Sequence, residues 1–276
     1  MTHSTFRHRK KWGQNFFTAP ELLEDMLEPL ELQPGDPIFE IGPGQGALTE
    51  LLLARTGQVT AIEVDPRLGP YLRESLGHYP GFRLIYGDIR YSTETFIREL
   101  APADQLRAIA NIPYHLTSEI LFQLLNLKPM MRENVHPGLP LFRDILLMVQ
   151  HEVAFKLLAQ PGDEGFGLLS LQVQYAAEVD LLAELPRDLF DPAPKVDSAM
   201  VWFRPRRTPP VDVPHIGHFW ELLTRIYQLR RKNLRNVLRT LSWANQAPEG
   251  WDLGLRGETL DLEQLAQLAT AIEPVA

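Results

Sequence analysis

The sequence predicts an α/β protein in two parts. Residues 1–205 read as a mostly parallel sheet with helices on both faces, and residues 206–276 as a small all-helical domain. Three observations carry this reading. Strand-like runs alternate with helix-like runs up to about Arg204. The strand-like runs are almost wholly apolar, as in parallel sheets covered on both faces, and do not alternate as in sheets with one wet face. Beyond Arg204 the alternation stops and only helical periodicity remains.

The elements follow in order. Residues 20–30 (PELLEDMLEPL) are a short amphipathic helix with Leu22, Leu23, Met26, Leu27 and Leu30 as its apolar side. The turn QPGD leads into a buried strand, PIFEIG, then a glycine turn, GPGQG, then a helical run, ALTELLLARTG. QVTAIEVD is a second strand and PRLGPYLRESLGHY a helix. FRLIYGD and LRAIAN are the third and fourth strands, and TSEILFQLLNL is helical. Residues 126–143, with four prolines or glycines, are loop-like. DILLMVQ is the fifth strand, HEVAFKLLAQ a helix and PGDEGFG a loop. Residues 168–185 are apolar without a clear period, and SAMVWFRP is a late strand. RPRRTPPVDVP reads as a linker, followed by helical runs at 218–241 and 259–272.

Composition narrows the class. The chain has no cysteine, which excludes disulfides and thiolate metal sites. No apolar run approaches the ~20 residues of a membrane span, and the N-terminal stretch lacks a signal-peptide core. A cytoplasmic protein is expected. The formal net charge is −8, which by itself argues against a nucleic-acid binder. Its distribution argues otherwise. Residues 7–11 read RHRKK, and residues 204–239 hold nine Lys/Arg against two acids. Local field governs binding of a polyanion more than net charge does.

Four strand ends carry the chemistry. After the first strand, Gly42, Gly44 and Gly46 permit positive φ and close approach of a ligand to the backbone. In an open α/β sheet this turn borders the ligand crevice. Glu63, 21 residues after Gly42, ends the neighbouring strand, where a carboxylate accepts from both ribose hydroxyls. Asp88 ends the third strand, placed to accept from an adenine amine. Three such residues on one sheet edge point to a nucleoside: a nicotinamide dinucleotide or S-adenosyl-L-methionine. The fourth end, NIPYH at 111–115, separates the two. A dehydrogenase would have only His115 to move a proton. An adenine aminomethyltransferase needs two acceptors for the amine of its target, because that nitrogen's lone pair is delocalised into the ring. The side-chain oxygen of Asn111 and the carbonyl of Ile112 offer them. Pro113 keeps that carbonyl out of helical bonding, and Tyr114 offers a stacking face. His115 is left without a chemical role.

On these residues the chain resembles the small-subunit ribosomal RNA adenine N6,N6-dimethyltransferase family, within the Rossmann-like methyltransferases. The resemblance runs from KKWGQNFF through EIGPGQGALT, AIEVD, YGDI and NIPYH to MVQHEVAFKLLAQPG, FDPAPKVDSAMV and the basic LRRKNLRNVL. It implies that Asn15 and Phe17 close over S-adenosyl-L-methionine and that Gly42 meets its amino-acid end. Glu63 then takes its ribose and Asp88 its adenine. Asn111 touches both cofactor and target base, and Tyr114 and Phe190 sandwich that base. The family often has leucine at the position of Phe17 and asparagine at that of His115. The segment 126–143 looks longer than is usual there.

The chemistry so implied is an in-line methyl transfer that leaves S-adenosyl-L-homocysteine. It requires no metal, because the sulfonium leaving group is already activated, and no strong base. The target adenine is flipped from its stack. The partner is small-subunit rRNA within a 30S assembly intermediate, met by a monomer. Arg231, Lys232, Arg235 and Arg239 are the expected RNA contacts, the three arginines forming an i, i+4 stripe. Leu223, Ile226, Leu234, Val237 and Leu241 line the buried side. Competing readings are an Erm-like enzyme acting on large-subunit RNA and a non-catalytic assembly or transcription factor of the same fold.

Overall fold

The computed structural model describes residues 16–17, 20–92, 94–127, 140–242 and 249–272. Its first elements are β1 (Phe16–Phe17), α1 (Pro20–Leu27), β2 (Ile38–Ile41), α2 (Ala47–Thr56), β3 (Val59–Glu63), α3 (Leu68–Leu76) and β4 (Phe82–Tyr86). There follow α4 (Glu94–Arg98), β5 (Arg107–Asn111), α5 (Thr117–Leu124), β6 (Asp144–Gln150) and α6 (His151–Leu158). Next come α7 (Leu168–Ala176), β7 (Ala177–Leu185), β8 (Phe190–Asp191) and β9 (Ser198–Pro205). The last helices are α8 (Ile216–Gln228), α9 (Leu234–Leu238) and α10 (Leu262–Ile272).

Seven strands make one sheet in the order β4-β3-β2-β5-β6-β9-β7, and β1 pairs with β8 in a separate two-stranded ribbon. β2 lies between β3 and β5 and is parallel to both, with Ile41 opposite Ile62 and Ala110. The chain steps outward from β2 to β4, then returns to place β5 on the other side of β2. That reversal opens a crevice beyond the C-terminal ends of β2 and β5. β9 closes on β6 in the antiparallel sense.

Helices cover both faces, as the apolar strands predict. On one face Ile38, Val59 and Ile109 share a core with Leu27 of α1, Leu52 of α2 and Leu72 of α3. On the other, Phe39 meets Phe96 of α4 edge-on at 6.4 Å and stacks with Phe142 at 6.2 Å. Each such side chain contributes roughly 1.5–3 kcal/mol on burial.

Two segments fold in ways periodicity did not resolve. The ambiguous run 168–185 is a helix that gives way to a strand between Ala176 and Ala177. β7 is an edge strand whose Asp180 pairs with Arg204 at 2.8 Å and whose Glu178 pairs with Arg206 at 3.1 Å. Charges on an edge strand discourage further pairing and blur the strand pattern. The helical run 218–241 is also broken. α8 stops at Gln228, and Asn233 starts α9 by accepting from the Asn236 amide at 3.2 Å. Asparagine favours an N-cap over a helix interior because its side chain bonds local backbone. Arg231 therefore lies in a turn, Arg235 on α9, and Arg239 at its C-cap. The expected i, i+4 arginine stripe does not form. Leu223, Ile226, Leu234, Val237 and Leu241 are all buried, as the spacing required.

The chain divides into two compact units, one from residues 1–124, 141–154 and 180–204, the other from 125–140, 155–179 and 205–276. The second unit thus draws α7 from within the stretch read as sheet domain. Its described core joins Tyr175 of α7 to Phe219 and Trp220 of α8, with ring centroids at 6.1 and 5.2 Å. Leu265, Leu268 and Ile272 of α10 are fully buried.

Candidate active site

The glycine turn after β2 is built for close approach. Gly42, Gly44 and Gly46 have φ of 71°, 58° and 86°, a region L side chains avoid. The Gly42 amide donates to the Ile62 carbonyl at 2.9 Å, tying the turn to the end of β3. A Cβ on Gly46 would also lie 3.0 Å from Leu76, so that position lacks room as well as conformational freedom. Ala47 and Leu48, the first residues of α2, line the crevice, and a helix N-terminus favours a polar or anionic ligand group.

Three acids face this turn. Glu63 is 3% exposed, and its Oε1 accepts from the Asp65 amide at 2.8 Å. Burial raises its pKa, and the amides of Asp65, Gly44 and Val64 oppose the rise. Asp88 caps the turn at Ile89–Tyr91 by accepting from the Arg90 amide at 3.0 Å. Its carboxylate also accepts from the Arg90 guanidinium, at 3.0 Å from Nε and 2.6 Å from Nη2. Arg90 reaches Glu119 as well, at 3.5 Å. The third acid is Glu40, inside β2 and 1% exposed. Burial pushes its pKa up to about 8, with the like charge of Glu63 adding to the rise and the Thr49 hydroxyl opposing it. Its Oε2 has no hydrogen-bond partner among the described residues.

The end of β5 lies against the turn: a Cβ on Gly42 would be 3.8 Å from the Asn111 carbonyl. Ile112 is buried, and Pro113, with φ −57° and ψ 127°, turns the chain into a single 3-10 turn at Tyr114–Leu116. One cavity of about 370 Å³ gathers Gly42, Glu63, Asp88, Asn111, Ile112 and Pro113 in its wall. That volume is in the range of small-molecule and cofactor sites. Glu40, Arg90 and His115 line it too.

Two expected aromatic residues stand elsewhere. Tyr114 is half-buried and its hydroxyl is hydrogen-bonded to Ser198 Oγ. Phe190 is 3% exposed and belongs to the core cluster with Leu185 and Met200, while its backbone pairs with Phe17. Neither residue is in the cavity wall; both belong to the expected site of the target base, beside the cavity that would hold the cofactor. Asn15 lies outside the described residues, as does most of the loop at 126–143.

Sequence reading missed Glu40, Arg90 and Ser198. A lone acid inside the apolar run PIFEIG was a signal for the first. The other two are recognisable only through partners that folding supplies. Of the basic residues between 204 and 239, Arg204, Arg206 and Arg230 are engaged by Asp180, Glu178 and Glu258. Arg231, Lys232, Arg235 and Arg239 are exposed in the second unit.

A glycine turn at the switch point, acids ending the next two strands and an Asn-Ile-Pro turn beside them define a nucleoside-binding methyltransferase of the Rossmann-like class. The comparisons with known proteins narrow the class. The model of the family described as ribosomal RNA adenine dimethylase matches residues 5–261. The ribosomal RNA small subunit methyltransferase A of Geobacillus kaustophilus is 34% identical over 98% of this chain and 92% of that protein. That of Thermosynechococcus vestitus is 36% identical over 96% and 97%. Among solved structures, a dimethyladenosine transferase from Plasmodium falciparum aligns with TM-score 0.73 at 24% identity, over 92% of this chain and 95% of that one. The 23S rRNA methyltransferase ErmE aligns with TM-score 0.63 at 26% identity, over 94% and 99%. The chain belongs to the ribosomal RNA adenine dimethylase family. It is an S-adenosyl-L-methionine-dependent methyltransferase that dimethylates adenine in ribosomal RNA.

Proposed function

We propose that this enzyme dimethylates N6 of two adjacent adenosines near the 3′ end of small-subunit (16S) rRNA, within a late 30S assembly particle. The observation that carries this reading is the likeness to small subunit methyltransferases A, at 34–36% identity across almost the whole of both chains.

In this reading S-adenosyl-L-methionine supplies a methyl group already activated on a sulfonium. The chain's residues do the rest. Glu63, buried at the end of β3, takes the ribose hydroxyls. Asp88, at the end of β4, accepts from the cofactor's adenine amine. Gly42 gives its backbone to the amino-acid end, and Asn15 and Phe17 close over it. Asn111 Oδ1 and the Ile112 carbonyl accept the two N–H groups of the target amine and draw its nitrogen toward tetrahedral geometry. Pro113 sets the angle between them. Tyr114 and Phe190 hold the base. Water takes the proton from the methylated nitrogen. Acceptors fixed in advance supply most of the rate.

Residues 206–276 form the RNA-contacting domain, with Arg231, Lys232, Arg235 and Arg239 on phosphate. Binding then weakens with salt. The enzyme acts as a cytoplasmic monomer.

Mapping of N6,N6-dimethyladenosine on isolated 30S particles and on protein-free 23S RNA, each treated with enzyme and S-adenosyl-L-methionine, tests the proposal. Two adjacent modified adenosines near the 16S 3′ end are expected. Modification confined to 23S RNA would replace it with the Erm-like reading. Modification of neither would leave a factor that keeps only the fold. Asn111→Ala is expected to slow transfer by roughly 10²–10³-fold, as loss of one aligned hydrogen-bonding group does elsewhere. Full-rate transfer by that variant would remove Asn111 from the catalytic machinery.

A further inference from the structure

We infer that Ser198 is the positioning residue for Tyr114, its hydroxyl fixing the plane of the ring against which the target adenine stacks. The inference rests on the proposed function, in which Tyr114 meets the base.

Tyr114 begins a single 3-10 turn directly after Pro113. The backbone there holds one end of the side chain only, and the ring is half-buried. Such a ring swings about its side-chain torsions unless something holds the far end. The hydroxyl is that far end, and it is hydrogen-bonded to Ser198 Oγ.

Ser198 is well placed to hold it. The residue is fully buried at the start of β9, paired with Gln150 of β6. The preceding residue is clamped twice. The Asp197 carbonyl accepts from the His151 amide at 3.0 Å, and its Oδ1 accepts from the Arg187 amide at 3.0 Å. The anchor therefore sits on a rigid element, as a positioning group requires.

Neither hydroxyl has another evident use. Stacking needs only the aromatic face, which phenylalanine would supply equally. A strand continuing as Ala199, Met200 and Val201 has no need of a buried hydroxyl, which is costly unless paired. Paired, the two hydroxyls give the ring a second fixed point. Burial raises the Tyr114 pKa, so the phenol stays neutral and keeps its proton for the bond. The same segment, Phe190 to Ser198, carries both residues expected to serve the base: the aromatic partner at one end and the anchor at the other.

Three variants test this: Ser198→Ala, Tyr114→Phe and the pair combined. Single-turnover methyl transfer to 30S particles, S-adenosyl-L-methionine affinity by calorimetry and melting temperature are measured for each. Each single variant is expected to lower the transfer rate about tenfold, the scale of a sub-ångström misplacement of a reacting group. Cofactor affinity stays within about twofold, because neither hydroxyl borders the cavity. The double variant is expected to be no slower than either single one, since both remove one interaction. Ser198→Thr, which restores a hydroxyl, recovers most of the rate. If Ser198→Ala melts early, Tyr114→Phe, which removes the hydroxyl from the other side, carries the same expectation. Wild-type transfer by either single variant, or losses that multiply in the double one, overturns the inference. Tyr114→Ala separates it from the reading beneath. If Tyr114→Ala abolishes transfer and Ser198→Ala does not slow it, only the anchor falls. If Tyr114→Ala transfers at full rate, base stacking on Tyr114 falls and takes the anchor with it.

Discussion

At the N-terminal end of β5 the sheet buries Arg107; at its C-terminal end, four residues on, Asn111 borders the cavity. Charge is buried at both ends but treated differently. Arg107 is 1% exposed, and its Nη1 donates to the Leu30 carbonyl at 2.8 Å and to Asp144 Oδ2 at 2.9 Å. Its Nε is 3.3 Å from Asp36. Burial lifts the Asp144 pKa to about 6 even beside this cation. At the other end Glu40 and Glu63 are equally buried, yet neither has an ion pair with a described residue. Around them are backbone amides and a threonine hydroxyl, with the like charge of Glu63 beside Glu40 and that of Asp65 beside Glu63. Charge answered within the chain holds the sheet together, whereas buried carboxyls without a cation beside a cavity are capacity for a ligand.

The difference is broken most forcefully from the structural end. Arg107→Ala leaves Asp144 buried without its cation and is expected to cost about 3–5 kcal/mol of stability in urea unfolding. Replacing both partners by apolar residues, Arg107→Met with Asp144→Leu, should recover most of that loss. In whatever fraction folds, cofactor affinity should stay within about twofold. A large loss of affinity would mean the two ends are coupled.

The ligand end should behave in the opposite manner. On the proposed reading, in which Glu63 takes both ribose hydroxyls of the cofactor, Glu63→Ala is expected to weaken cofactor binding on the order of 100-fold. Melting temperature should change much less than for Arg107→Ala, since a buried carboxyl is removed along with the acceptor of nearby backbone amides. Calorimetric titration and a thermal scan on the same preparation check both. A fall in stability as large as that of Arg107→Ala would make Glu63 structural too.

Only part of this contrast was legible in the sequence. The strands of the parallel sheet are apolar along their length, so they stood out, and the acids at their ends could be aligned by counting from Gly42. Arg107 and Asp144 did not stand out, because each opens an apolar strand in the way any flanking charge does. They become a pair only when β5 and β6 align in register. The same limit explains Arg90, found by Asp88, and Ser198, found by Tyr114. Phe190 was legible as a residue but not as a placement, because its burial depends on elements distant in sequence. The basic stretch misled differently. Counting charges along the chain cannot reveal that Glu178 and Asp180 lie across from Arg206 and Arg204, or that the helix on which the stripe depended stops at Gln228 and restarts after Asn233.

The finest test of the contrast is Glu40, whose unpartnered oxygen marks the ligand end most clearly. Its pKa is about 8 in the folded chain against an ordinary 4.5. Between those values the unfolded chain has released this proton and the folded chain retains it. The folded state then binds more protons, so stability falls as pH rises from about 4.5 to 8 and levels off above. Asp144, raised from 3.8 to about 6, adds a fall of the same sign at lower pH. The interval from pH 6 to 8 therefore isolates Glu40 when wild type is compared with Glu40→Gln. Glutamine fills the same space without ionising. The variant should be close to wild type at pH 5 and more stable at pH 8 by about 2 kcal/mol, a ceiling reduced because the amide must also be accommodated. Urea unfolding at the two pH values measures the difference. Parallel curves would show that Glu40 ionises at its ordinary pKa. The chain would then answer charge at both ends of the sheet alike, and the cavity would lose its distinction from the clasp at Arg107.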